Sequence, residues 1–91
     1  MSYRVEVPPP VQQEIKALPG HARAQARQLI RALGGNPRPR RAKELRGKPN
    51  VYRIWLAKLW RIAYSVDDEL LVVRILHVRR KGQIDYESLQ S

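Results

Sequence analysis

The residues best suited to chemistry are the arginines, lysines and aromatic side chains between positions 43 and 64 of this 91-residue chain. The segment KELRGKPNVYRIWLAKLWRIAY holds two runs of alternating side chains, with Arg53 and Trp55 in the first run and Arg61 in the second. Because successive side chains of a β-strand point to opposite faces, the alternation predicts two strands with one face in a core. The other face carries guanidinium groups and an indole, which bind phosphates and stack on bases.

A third strand is predicted from Leu70 to Val78, after an acidic turn at residues 67–69. The hairpin that joins it to the second strand can pair in two registers. They differ in whether the numbers of two paired residues add up to an even or an odd value. One register buries the unpaired guanidinium of Arg74 in the core, which is costly. The other register turns Arg74 outward. It places three aliphatic side chains of the third strand in the core, namely Leu71, Val73 and Ile75.

An outward Arg74 shares a face with Arg53 and Arg61. We therefore expect these three arginines to line up across three adjacent strands. Like charges opposite each other on a sheet are destabilising, so such a row is favoured where an anion fills the gap between them. In the alternative interpretation, long arginine stems splay apart and only keep the sheet face in water.

A row of this kind suits the cleavage of RNA by its own 2′-hydroxyl, which needs no metal ion. The reaction needs a proton acceptor, a proton donor and fixed positive charge on the developing phosphorane. Arginines supply the charge but are poor bases, because their pKa exceeds about 12. Strand parity turns His77 toward the core as a structural residue, and His21 is predicted to be a surface or capping residue. The remaining candidates for proton transfer are Lys43, Lys58, Lys81 and Tyr86.

The composition points to a polyanionic partner. Eighteen Lys and Arg residues against eight Asp and Glu residues give a formal net charge of +10, a large excess for one small domain. Cysteine is absent, which excludes disulfides and thiol catalysis and favours a reducing cytoplasm. Isolated histidines and turn carboxylates predict no metal site, and no cofactor is expected. No segment has the roughly 18 apolar residues of a membrane span, and the N-terminus is unlike a signal peptide.

The N-terminal half predicts the scaffold that positions these strands. Residues 3–7 alternate and stop at three prolines, which predicts a short strand. Apolar spacing predicts one helix that opens at Pro9 or Pro10 and a second from about His21 to Leu33. The Pro-Gly break between them makes the helices antiparallel neighbours. Residues 36–41 form a basic loop stiffened by proline, and residues 42–45 are either a helical turn or extended.

The whole chain, residues 1–91, is thus predicted to be a single α+β domain. Its N-terminal strand and two antiparallel helices precede a three-stranded antiparallel meander, and the four strands form one sheet. This order resembles the RelE/ParE toxin superfamily of bacterial toxin–antitoxin systems. The likeness is carried by KELRGKPNVYRI (Lys43 to Ile54), WRIAYSVDDELLVV (Trp60 to Val73) and HVRRKGQIDY (His77 to Tyr86).

The superfamily contains RelE-like endonucleases that cut mRNA in the ribosome and ParE-like inhibitors of gyrase. Carried over by position, the RelE-like site residues are Arg53 and Arg61 on the middle strands, Arg80 or Lys81 after the last strand, and Tyr86. Arg53 and Trp55 stand where the best-known members have two lysines. Lys81 or Tyr86 would then act as the general base, or the ribosome supplies more of the catalysis. The further residues expected to bind RNA are Lys43, Arg46, Lys48, Trp55, Lys58, Arg74 and Arg79.

The resemblance implies a cytoplasmic toxin whose partners are a cognate antitoxin, the ribosome and mRNA, and which forms a heteromeric complex with the antitoxin. A metal-independent, ribosome-dependent endoribonuclease that inhibits translation is favoured, because the basic cluster and the terminal tyrosine are both retained. Two alternatives stay open. One is a ParE-like toxin that inhibits gyrase and needs no proton-transfer residues. The other is a basic RNA- or ribosome-binding module without catalysis.

Overall fold

A computed structural model describes residues 2–81, which form two helices and one five-stranded sheet. The sheet has the order β1-β5-β4-β3-β2, in which β1 pairs with β5 in parallel and all other neighbours are antiparallel. The predicted α+β fold is confirmed, with one additional strand because residues 43–44 are extended rather than helical. The elements are β1 (Arg4–Glu6), α1 (Pro9–Lys16), α2 (Gly20–Leu33), β2 (Lys43–Glu44), β3 (Val51–Leu56), β4 (Trp60–Asp67) and β5 (Val72–Arg80).

The helices begin and end where the sequence offers the appropriate residues. α1 opens on prolines, which have no N–H to leave unsatisfied in a first turn. Gly34 follows α2 with a φ of −64°, so no left-handed turn requires glycine there. Glycine instead allows the backbone before β1 to pack closely here, because a Cβ at this position would lie 3.2 Å from the Tyr3 carbonyl oxygen. Neither helix within residues 2–81 is long and apolar enough to cross a bilayer.

The main core lies between the helices and one face of the sheet. Tyr52 pairs with Tyr64 and Ile54 with Ile62, so the predicted core face of the first hairpin is confirmed. The two tyrosine rings stack with their centroids 5.6 Å apart. The other buried residues of this core come from both helices, from the connection between them and from strands β3 to β5: Val11, Ile15, Leu18, Ala22, Ala26, Ile30, Leu33, Leu56, Val66, Val73, Ile75 and Val78.

The hairpin of β4 and β5 has the predicted parity near its turn, where Val66 lies opposite Val73. A β-bulge then inserts Leu76 into β5, so that Ala63 pairs with His77. A bulge places two residues of one strand against one of its partner. Beyond Leu76 every residue of β5 therefore faces the side opposite to the one that simple alternation predicts.

The turn before β5 corrects one core prediction. Leu71 is half-buried in the turn rather than buried in a strand, and its φ of 55° is left-handed. The turn is held by the carboxylate of Asp67, which accepts the backbone N–H groups of Glu69 at 3.0 Å and Leu70 at 2.9 Å. These local bonds favour a turn over continued strand in this segment.

Replacement of Ile54 by alanine should destabilise the fold. Ile54 is 1% exposed at the centre of the main core, and such truncations cost about 2–5 kcal/mol because a cavity remains. Chemical denaturation measures the change in the free energy of unfolding. Leu59→Ala is the control, since Leu59 is 50% exposed and surface substitutions stay within about 0.5 kcal/mol. Similar losses for the two variants would contradict this description of the core.

Candidate nucleic-acid interface

The candidate site lies on the outer face of the sheet, which we define as the side away from the helices. A second small apolar cluster stabilises this face: Val51 and Ala63 are fully buried there, against the partly buried Leu45 and Leu76. The basic side chains of β3 and β4 that share this strand parity are Arg53 and Arg61.

The three arginines predicted to form one row do lie on the outer face, but the row itself is wrong. Arg53 is opposite Ala63, Arg61 is opposite Trp55, and Arg74 is opposite Ser65. Each arginine therefore occupies a different cross-strand row. The alternation of side chains along a strand determines which face of the sheet each one lies on. The length of the turn at residues 68–71 determines which residue of β4 lies opposite Arg74.

Arg74 is instead part of an ion pair at the edge of the sheet. Its Nε and Nη2 donate to Glu6 Oε1 at 3.2 and 3.1 Å, and Arg4 donates to the other carboxylate oxygen at 3.0 Å. The guanidinium of Arg74, followed by that of Arg4, holds the pKa of Glu6 below its usual range. The structure thus separates Arg74 from the other two arginines and provides it with a counter-charge.

Cations gather on the outer face around the indole of Trp55. The guanidinium carbon of Arg61 lies 4.3 Å from the ring centroid, and the ammonium nitrogen of Lys81 lies 5.5 Å from it. Cation–π contacts of this kind contribute about 0.5–2 kcal/mol. Arg53 lies diagonally across from Arg61, a relation that puts Cα atoms roughly 7–8 Å apart. We call these four residues the Trp55 cluster: Arg53, Trp55, Arg61 and Lys81.

The Trp55 ring was predicted to be available for base stacking. Trp55 is 37% exposed, but its ring also makes cation–π contacts with the protein's own Arg61 and Lys81. The attraction of a guanidinium for an aromatic face restricts where the Arg61 head group lies. The ring thereby keeps like charges together on one surface, a function that the sequence analysis did not foresee.

The structure distinguishes between Arg80 and Lys81. Arg80 lies opposite Trp60, whose ring packs edge-on against His21 of α2 at 6.3 Å. Arg80 therefore faces the helix side, away from Arg61. Lys81 donates its backbone N–H to the Leu59 carbonyl at 2.9 Å and joins the Trp55 cluster. Because of the extra residue at the Leu76 bulge, Lys81 rather than Arg80 lies on the side of Arg61.

The carboxylate of Glu14 in α1 lies beside three consecutive residues of β5. Its carboxylate accepts the backbone N–H of Val78 at 2.9 Å and the Nε of Arg79. His77 Nδ1 lies 3.7 Å from the same carboxylate. The prediction that His77 faces the core is wrong, because the bulge places it opposite Ala63 on the outer face. Arg79 lies opposite Arg61 but is turned toward Glu14.

The remaining predicted residues surround the cluster or lie outside the description. Lys43 pairs with Arg53 and extends the cationic surface to β2. Arg46 is exposed and Lys48 half-buried in the loop that follows β2. Lys58 is exposed in the β3–β4 turn. Tyr86 lies outside the described residues.

Arg38 organises the basic loop and was missed by the sequence analysis. Its Nε donates to the Tyr52 hydroxyl at 2.7 Å, and its two terminal nitrogens donate to Asp68 at 3.0 and 2.8 Å. One of them also donates to Asn50 at 3.1 Å. The loop is further held by the Tyr64 hydroxyl, which donates to the Pro37 carbonyl at 2.8 Å, and burial raises the pKa of that hydroxyl.

The hydrogen bonds of Arg38 and Tyr64 hold the loop next to the Trp55 cluster. Three residues after Arg38, the Nη2 of Arg41 donates to the Trp55 carbonyl at 3.1 Å. One usable signal in the sequence is an acidic turn that could pair with a basic loop. However, Arg38 and Asp68 are 30 residues apart, so no local pattern connects them.

Comparisons with known proteins identify the family of the chain. The family model described as "ParE toxin of type II toxin-antitoxin system, parDE" matches residues 5–84. A protein of Methanocaldococcus jannaschii named "Putative toxin RelE1" is 33% identical over 87 residues, covering 90% of this chain and 94% of the relative.

Solved structures of toxins match as well. A mutant of the E. coli toxin RelE in the free state has a TM-score of 0.77 at 28% identity, covering 90% of this chain and 86% of that chain. The archaeal RelE–RelB complex of Pyrococcus horikoshii has a TM-score of 0.72 at 26% identity, covering 92% and 100%. The fold is therefore that of a RelE-like toxin. The chain belongs to the ParE toxin family of type II toxin–antitoxin systems, within the RelE/ParE superfamily.

The Arg38–Asp68 pair should make stability depend on acid. The guanidinium of Arg38, and after it the Tyr3 hydroxyl at 2.7 Å, lower the pKa of Asp68. A lowered folded-state pKa means that the stabilisation is complete above about pH 4 and is lost as the pH falls through the folded value. We expect Asp68→Asn to lower the free energy of unfolding at pH 7 and to flatten its decline below pH 4.

Denaturation curves collected between pH 2 and pH 7 measure this effect. Glu69→Gln removes a charge from the same turn and is the matched control, since Glu69 makes no ion pair within residues 2–81. An unchanged acid profile in Asp68→Asn would show that the pair does not stabilise the loop.

Proposed function

We propose that this chain is an endoribonuclease that cuts mRNA on the ribosome and thereby inhibits translation in the cytoplasm, without a metal ion. The observation that carries the proposal is the Trp55 cluster, in which three cations and an indole share one sheet face. Such a surface binds a phosphate together with the base beside it. The family of the chain is consistent with a toxic activity of this kind.

Arg61 and Arg53 have the role of fixed positive charge. In RNA cleavage by the 2′-hydroxyl, the 2′-oxygen attacks the adjacent phosphorus and the 5′-oxygen of the next nucleotide leaves. Negative charge builds up on the phosphorane oxygens between these events. Guanidinium groups whose positions are already set stabilise that charge without reorganising. Arg61 meets this requirement because the Trp55 ring lies 4.3 Å from its guanidinium carbon.

Proton transfer is assigned to Lys81 or Tyr86. One proton must leave the 2′-hydroxyl and one must reach the departing 5′-oxygen. Lys81 is the proton-transfer candidate that lies in the Trp55 cluster, through its ammonium 5.5 Å from the indole centroid. Tyr86 keeps its predicted role from the family resemblance. Arg80, which the resemblance gave as an alternative to Lys81 in the site, faces the helices and is not included in the proposed site.

A cognate antitoxin is the proposed regulatory partner. The E. coli RelBE toxin–antitoxin complex and the P. horikoshii RelE–RelB complex are both built on chains that resemble this one at 26% identity. A protein with a net charge of +10 attracts an acidic, flexible segment electrostatically. Such a segment laid over the Trp55 cluster would exclude RNA.

Arg61→Ala should abolish toxicity and leave the fold intact. Loss of one group that stabilises a transition state lowers the rate about 10²–10³-fold. Arg27→Ala is the matched control, because Arg27 is exposed on α2 and loses the same charge. Both variants are induced in a bacterium, with growth and mRNA 5′ ends as readouts. Continued mRNA cleavage and growth arrest with folded Arg61→Ala would count heavily against the proposal.

Inhibition of gyrase is the second candidate function. It is favoured by one observation, that the matching family model is that of a ParE toxin. A gyrase inhibitor needs a binding surface but no proton-transfer residues. Induction of the wild-type chain would then cause DNA damage and filamentation while mRNA 5′ ends stay unchanged. The induction experiment therefore distinguishes the two functions.

A further inference from the structure

Two open depressions adjoin each other on the surface beside Trp55. They have volumes of about 550 and 530 Å³, and they share Gln25, Ala57 and Lys58 in their walls. The first depression is also lined by Trp55 and Arg41. The second runs along α2 past Gln28 and His21. We call this feature the Lys58 groove.

The chemistry of the Lys58 groove suits a polyanion that carries hydrogen-bonding edges. Lys58 and Arg41 are exposed cations, and Gln25 and Gln28 present exposed side-chain amides. None of the residues that line either cavity is acidic. Cations bind phosphates, and an amide both donates and accepts hydrogen bonds as the edge of a base requires. An acidic peptide would satisfy the cations but would leave the base-reading capacity of the two amides unused.

We propose that the Lys58 groove binds an unpaired RNA nucleotide next to the bond that is cut at the Trp55 cluster. The proposal rests on the proposed endoribonuclease function. Trp55 belongs to both sites: its ring carries Arg61 and Lys81, and the residue forms one wall of the groove. In this proposal, a strand whose phosphate lies at Arg61 on the outer face passes Trp55 and reaches the groove beside α2. Single-stranded RNA is recognised in this way, by splayed bases and backbone contacts.

The backbone at Lys58 supports a role for its side chain. Ala57 and Lys58 have φ values of 48° and 68°, in the left-handed region that glycine adopts without strain. A lysine in this conformation is strained, and strained residues concentrate at functional sites. The turn itself would be made more easily by glycine. The position thus supplies an ammonium group at the cost of backbone strain.

The experiment measures the binding of 2′-O-methyl RNA oligomers, which cannot be cut by 2′-hydroxyl attack, to the purified chain by fluorescence anisotropy. Oligomers of two to six nucleotides are titrated over a series of salt concentrations. Loss of one phosphate contact should weaken binding about fivefold at 0.1 M salt. It should also reduce the slope of the logarithm of the binding constant against the logarithm of the salt concentration by about 0.7. We expect this change for Lys58→Gln, with wild-type affinity retained for the shortest oligomer.

The control is Lys16→Gln, which removes the same charge from an exposed position on α1. Lys58→Gly is the second variant, because it removes the ammonium and relieves the backbone strain, so lower affinity cannot result from misfolding. Equal effects of Lys16→Gln and Lys58→Gln would overturn the proposal, as would absence of RNA binding by the wild type. Preferential, Lys58-dependent binding of a polyglutamate peptide would also overturn it and assign the groove to protein.

The proposal for the groove and the proposed nuclease function can be tested independently of each other. Wild-type RNA affinity in Lys58→Gln, together with loss of mRNA cleavage in Arg61→Ala, would eliminate the groove and leave the nuclease. Lys58-dependent RNA binding by a chain that cuts no mRNA on induction would support the groove and eliminate the nuclease.

Discussion

The attraction between cations and the Trp55 ring is the interaction on which the outer face of the sheet depends. A guanidinium and an ammonium lie 4.3 and 5.5 Å from one indole centroid in a chain with a net charge of +10. Like charges on neighbouring strands repel. The negative face of the indole offsets part of that repulsion without neutralising either cation. The ring thus holds two cations close together on this surface.

Within residues 2–81, three carboxylates pair with arginines away from the Trp55 cluster. Glu6 binds Arg74 beside β1, Glu14 binds Arg79 at the edge of β5, and Asp68 binds Arg38 beneath the basic loop. These pairs connect elements that are distant in sequence. These three arginines join elements through carboxylate partners, and the Trp55 ring contacts Arg61 and Lys81. Exposed ion pairs contribute little stability one by one, so their main effect is to position the loop and strands.

Much of the fold could be predicted because hydrophobic periodicity is local. The two helices, the three long strands and the core face of β3 and β4 follow directly from spacing. The partners of individual residues could not be predicted, because they depend on turn length and on the bulge at Leu76. For this reason the sequence identified Arg53, Arg61 and Lys81 as site candidates but also placed Arg74 among them. The contacts of Arg38 span 30 residues, beyond the reach of any periodic pattern.

The bulge has a consequence for the three consecutive cations that end β5. Arg79, Arg80 and Lys81 follow Leu76, so the extra residue shifts the phase of the whole basic run. In an unbulged strand Arg80 would stand with Arg61, and Lys81 would turn toward the helices. Backbone geometry three residues upstream thus sorts identical charges between two sides of the molecule. A deletion of one uncharged residue would reverse that sorting, and the net charge and the order of the basic residues would not change.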